Sequence, residues 1–105
     1  MIVVVGRVQT DAQRRDALVQ AGEAVAAASR QEAGCLGYRL YAATEDPLAF
    51  VFIEEWKDDA ALQAHFGTEH VAAFMRTIAP LVTAPPDVQF HEVASTRDLS
   101  NVTSG

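Results

Sequence analysis

Ile2 to Val8 is β-branched along most of its length, broken only by Gly6 and Arg7, and such a run suits a strand buried on both faces. Beyond it the period changes. Thr10 with Gln13 three residues on fits a capping box, and Ala17, Leu18, Ala21, Val25 and Ala28 recur at spacings of three and four, which predicts a helix from about Ala12 to Glu32. Gly34 falls where a left-handed helix cap is wanted. From Cys35 the period becomes two, with Leu36, Tyr38, Leu40 and Ala42 on one side and Cys35, Gly37, Arg39 and Tyr41 on the other, which is a second strand. Thr44-Glu45-Asp46-Pro47 is turn chemistry, so the apolar run from Leu48 to Trp56 forms a hairpin with that strand. Asp58 and Asp59 open a short helix carrying Ala61, Leu62 and His65, and Gly67 interrupts it. Thr68 then caps a continuation whose stripe is Val71, Phe74, Met75 and Ile78, ended by Pro80. A Pro85-Pro86 turn leads to a last strand, Val88 to Val93. Residues 1–93 make one domain, and the Ser-, Thr- and Asn-rich tail 94–105 reads as an exposed or partner-crossing arm.

Strand, helix, strand, strand, helix, strand is the split βαβ order of an α+β, ferredoxin-like fold (βαββαβ), a four-stranded antiparallel sheet with its helices on one face. That arrangement leaves a face bare. Strand three nevertheless carries Phe50, Phe52 and Trp56 on one side and Ala49, Val51 and Ile53 on the other. Something has to cover the second face, and a second copy of the same sheet is the simplest cover, so a homodimer with sheets packed face to face is expected.

Composition agrees with that need. Half of the 105 residues are apolar, and a monomer of this size hides only roughly 65% of the surface its unfolded chain exposes. Charge narrows the partners: the net −6 and eight scattered basic residues lack the clustered cations that bind nucleic acid or an anionic membrane surface. No apolar run approaches the ~20 residues of a membrane span, and no basic leader precedes one. A cytoplasmic protein is expected. The single Cys35 cannot form an internal disulfide, which fits that compartment, and it reads as a small core residue rather than a nucleophile.

The densest chemistry is Glu54-Glu55-Trp56 followed by His65, Glu69 and His70 around the helix break. Titratable groups beside large apolar ones make a small-molecule site. On an unbroken helix His65 and His70 would point about 140° apart, but a break at Gly67-Thr68 can re-aim one ring toward the other. His65, Glu69 and His70 match no tight helical zinc spacing, so no metal is expected from them. The glycines are dispersed and form no phosphate loop, so no nucleotide cofactor is expected. Arg7, Arg39 and Arg76 are available to orient an anionic group.

The stretch Glu54-Glu55-Trp56-Lys57-Asp58-Asp59-Ala60-Ala61-Leu62-Gln63-Ala64-His65-Phe66-Gly67-Thr68-Glu69-His70-Val71, preceded by Gly34-Cys35-Leu36-Gly37-Tyr38, resembles the signature of the antibiotic biosynthesis monooxygenase family of dimeric α+β barrels. The resemblance runs from about Ile2 to Val93. With Phe74 further along the helix and no Asn in strand one, the chain departs from the haem-degrading members. His65, Thr68 and His70 reproduce the His-x-x-Thr-x-His pattern typical of the quinol-oxygenase-like and signal-isomerase-like members. What this implies is a cofactor-free monooxygenase acting with O₂ on a small electron-rich aromatic, quinol or anthrone-like. His65 or His70 would be the base, Glu54 would orient it or the substrate hydroxyl, Trp56, Phe52, Phe74 and Met75 would wall the pocket, and Arg39 would assist binding. A dimeric ligand-binding or stress-response barrel and an isomerase of a small phosphorylated sugar are the competing readings; the isomerase requires Arg7, Arg39 or Arg76 to face the pocket.

Overall fold

The computed structural model describes residues 1–103. Ser104 and Gly105, the end of the expected arm, lie outside the described residues. The elements are β1 (Ile2–Gln9), α1 (Arg15–Ser29), β2 (Cys35–Ala42), β3 (Ala49–Trp56), α2 (Asp59–Phe66), α3 (Glu69–Ile78), a 3₁₀ turn (Ala79–Leu81), β4 (Asp87–Glu92) and α4 (Leu99–Thr103). The strands form one antiparallel sheet in the order β2-β3-β1-β4, which is the ferredoxin-like topology. Among the described residues no helix is long and apolar enough to cross a membrane.

Register decides which side chains meet the helices. Ile2, Val4, Gly6 and Val8 stand opposite Trp56, Glu54, Phe52 and Phe50, so these residues share one face. Tyr38 and Leu40 join them through Glu54 and Phe52. That face and α1, through Leu18, Val25 and Ala26, make the core. The other face carries Val3, Val5, Val51 and Ile53, half-buried and covered by no helix among the described residues. The strand β1 is therefore buried on one face within the chain and not on both.

Helix α3 packs against α1 and stands off β1 and β4, so Val88 and Phe90 of β4 remain exposed although they lie beside Gly6 and Val4 on the helix side. This stand-off opens the space in which the candidate site sits.

Four local expectations change. No Thr10 capping box forms: α1 starts at Arg15 without a side-chain cap, and the Thr10 hydroxyl, buried, donates instead to the Leu81 carbonyl at 2.6 Å. The helix ends at Ser29, three residues before Glu32, and Glu32 is thereby released from helical geometry. A bulge between Cys35 and Gly37 turns Cys35 toward the core, against the simple alternation, and burial pushes its thiol pKa up. Gly34 is not left-handed, since no described residue has a positive φ. Glycine is required there because a Cβ would overlap that of Ala61 on α2. The close approach is tied by the Lys57 N–H, which donates to the Gly34 carbonyl at 3.0 Å.

Two glycine substitutions separate these causes. Gly34→Ala should destabilise the fold by about 1–3 kcal/mol, through overpacking against a side chain that has no flexible end to move. Gly67→Ala, at φ −86° and facing only the Ala64 carbonyl at 3.5 Å, should be neutral or stabilise by up to about 1 kcal/mol. Thermal or urea unfolding of the two variants checks this.

Candidate active site

Between the sheet and helices α2 and α3 lies a cavity of about 460 Å³, in the range of small-molecule sites. Its wall is apolar, with Phe52, Phe66, Phe74, Val88 and Phe90 prominent, and Met75 stands exposed at its edge. Among the described residues lining it, only Tyr38, Glu54 and His65 carry titratable groups.

Those three meet because strand pairing aligns Tyr38 with Glu54 and the last turn of α2 packs His65 against β3. Asp58 caps α2 by accepting from the Ala61 N–H at 2.8 Å. His65 is 3% exposed and Trp56 fully buried, and their rings lie 4.4 Å apart at 39°. Trp56 Nε1 donates to Glu54 Oε1 at 3.0 Å, and the Tyr38 hydroxyl hydrogen-bonds the same carboxylate. His65 Nε2 is 3.8 Å from Glu54 Oε1. Burial raises the Glu54 pKa, opposed by the Trp56 N–H, His65 and the Tyr38 hydroxyl. Burial, reinforced by the Glu54 charge, also drives the Tyr38 pKa far up, so Tyr38 stays a neutral hydrogen-bonding phenol.

On the other side of His65, its Nδ1 lies 2.7 Å from Glu32 Oε2, and His70 Nε2 lies 2.8 Å from the same oxygen. The break between α2 and α3 makes this possible. Thr68 caps α3 by accepting from the Val71 N–H at 3.4 Å, while its own hydroxyl donates to the His65 carbonyl at 2.7 Å. The two imidazoles, which an unbroken helix would splay, converge on one carboxylate with centroids 6.0 Å apart.

The structure redistributes the residues expected at the site. Glu54, His65, Phe52, Phe74 and Met75 line the cavity. Trp56 does not: it lies behind the wall, where it orients Glu54 and packs on His65. His70 is set behind Glu32 rather than on the cavity. Arg39 projects from the opposite face of the sheet, beside Ile53 and Glu55. Arg7 pairs with Asp87 at 3.8 Å and Arg76 with Glu69 at 3.2 Å, both exposed. None of the three arginines reaches the cavity, which removes the anion-holding groups that a phosphorylated sugar would need. Glu69 therefore belongs to the surface, and the residue that joins His65 and His70 is Glu32. The sequence reading missed it because an extra helical turn hid it, and its one local sign is a carboxylate just ahead of the Ala33-Gly34 turn. The ligand atoms of Glu32, His65 and His70 all lie within 4.8 Å of one another, close enough to hold a cation.

Residues 1–77 match the family model described as antibiotic biosynthesis monooxygenase. The chain is 31% identical over 88 residues to YcnE of Bacillus subtilis (strain 168), named provisionally as a monooxygenase, with 84% of this chain and 93% of that protein covered. A Deinococcus radiodurans protein of known structure, described provisionally as an antibiotic biosynthesis monooxygenase, superposes with a TM-score of 0.88 at 25% identity, covering 94% of this chain and 98% of that one. PA3566 from Pseudomonas aeruginosa is 32% identical, with a TM-score of 0.81 over 90% of this chain and 94% of that one. By sequence and by fold, this chain belongs to the antibiotic biosynthesis monooxygenase family.

Proposed function

We propose that the protein is a cofactor-independent monooxygenase that oxidises a small electron-rich aromatic, quinol or anthrone-like, with O₂. The observation that carries this reading is one buried imidazole on the wall of a largely apolar cavity, backed by a carboxylate at 2.7 Å. Glu32 accepting from Nδ1–H fixes the tautomer in which His65 Nε2 keeps its lone pair, and this nitrogen is the base. Glu54 and Tyr38 hold the substrate hydroxyl at the polar end, and the aromatic wall holds the ring and excludes water.

On an anthrone-like ring, His65 Nε2 takes the proton whose loss leaves a delocalised anion. The anion passes an electron to O₂, and the radical pair closes a C–O bond to give a peroxide. The imidazolium returns the proton to the peroxide, and loss of water with the second methylene hydrogen leaves a carbonyl. One oxygen atom enters the product and the other leaves as water. The methylene carbon supplies every electron that O₂ takes up, so no external reductant is consumed.

The uncovered sheet face supports a homodimer, with Val3, Val5, Val51 and Ile53 packed against a second copy. Replacing Val51 and Ile53 together by Lys should shift the purified protein from twice the chain mass to the monomer in sedimentation or light scattering; an unchanged mass places the interface elsewhere.

Turnover is tested by oxygen uptake with a panel of anthrones and quinols. His65→Gln should lower the rate by about 10²–10⁴-fold, while Glu32→Gln, which keeps shape but loses the anion, should lower kcat more than it raises KM. Binding without oxygen uptake in the wild type would mark a ligand-binding barrel instead.

A further inference from the structure

His70 has no task in the proton transfer just described. It lies away from the cavity, yet its Nε2 is held 2.8 Å from the same Glu32 oxygen that already serves His65. The three groups come from three segments: the turn after α1, the end of α2 and the start of α3. They are graded in access, with side chains 4% exposed for His65, 16% for Glu32 and 27% for His70, so a path from solvent runs past His70.

We infer that Glu32, His65 and His70 form a binding site for a borderline divalent cation of the zinc type. Two imidazoles and one carboxylate are the donor set such ions take, whereas magnesium and calcium favour oxygen shells. The ligand atoms already lie within 4.8 Å of one another. Seating an ion about 2.0–2.1 Å from each donor requires the 2.7 and 2.8 Å contacts to open by about half an ångström and the two ring nitrogens, up to 4.8 Å apart, to close to about 3.4 Å. These movements fall to the His70 ring, 27% exposed, since His65 is buried. A fourth position stays open to water on the solvent side.

Two further observations support the site. His65 turns its other ring nitrogen, Nε2, toward the Glu54 carboxylate at 3.8 Å, and Glu54 is itself fixed by Trp56. A carboxylate behind a ligating imidazole is the usual outer support of a metal-bound histidine. Moreover, among the described residues no Lys or Arg lies within ion-pair distance of Glu32 or Glu54, so the two histidines are the basic groups these carboxylates meet.

The ion would sit behind His65, away from the cavity, and so would not touch substrate. Its effect is on the ring. A cation on Nδ1 displaces the proton held there, and the neutral ring then carries its proton on Nε2, the nitrogen that must be bare to act as base. Loading would therefore switch the base off. This consequence rests on the proposed function; the binding itself does not.

The test is calorimetric titration of the chelator-treated full chain with Zn²⁺ and, separately, Mg²⁺. One Zn²⁺ per chain should bind with Kd of about 10 µM or tighter, and Mg²⁺ should not compete. His70→Ala and Glu32→Gln, each checked for fold by circular dichroism, should weaken binding about tenfold or more, and His91→Ala on the opposite sheet face should bind as the wild type does. Absence of saturable binding, or undiminished binding in both site variants, overturns the inference. Oxygen uptake by the Zn²⁺-loaded protein separates the two readings: binding lost in the variants with turnover unaffected by the ion upholds the cation site and removes His65 as the base.

Discussion

A buried imidazole must have both ring nitrogens accounted for, because an unpaired polar atom in the interior costs about 1–3 kcal/mol. His65 meets this condition at Nδ1 with a carboxylate from a distant part of the chain, at 2.7 Å, and at Nε2 by facing the cavity, where a second carboxylate stands 3.8 Å away. Glu32 closes on Nδ1 from the turn after α1, and Glu54 faces Nε2 from β3. Much of the local architecture follows. The early end of α1 brings Glu32 within reach, the close packing at Gly34 seats α2 against that turn, and the Trp56 indole fixes Glu54 while its ring flanks the imidazole. Acidic groups on both sides of the ring give the polar end of an apolar cavity a defined direction for a proton.

The cavity has a cause as simple as the cluster's. A ferredoxin-like sheet offers its helices one face, and α1 occupies the β2 side of it. With α3 resting on α1, the strip over β1 and β4 has no helix in close contact, and Phe74 leans in to meet Phe52 with ring centroids 5.4 Å apart. The space left over is lined by whatever the strands present, which here is Val, Gly and Phe. Its polarity is concentrated at the Glu54 end for the same reason: alternation along β3 puts Phe52, Glu54 and Trp56 in line on one face.

The features legible in the sequence were those with local causes. Strand alternation and helical spacing are short-range, so the element order and the antiparallel sheet followed from them, and the helix break at Gly67-Thr68 was visible as a means of turning one histidine ring toward the other. Arg39 was a different failure. The period-two pattern of β2 already set it opposite Tyr38 and Leu40, and general expectation of an anion-binding group overrode that pattern. Trp56 was placed on the correct face, but depth within a wall is a property of the packed whole. Glu32 was invisible because nothing near it in sequence announces a partner on α2 and α3. Gly34 signalled its turn for the wrong physical reason, since glycine at a helix end serves close packing as well as left-handed backbone.

The Glu32 to His65 contact spans 33 residues and that to His70 spans 38, and the β2–β3 hairpin lies entirely between the partners. Helices of 8 and 10 residues have little persistence alone in water. The cluster therefore depends on the hairpin, which brings α2 back to the end of α1. Chains without the paired hairpin lack the aligned ring, so the proton transfer proposed for it would be confined to molecules whose cavity is already formed.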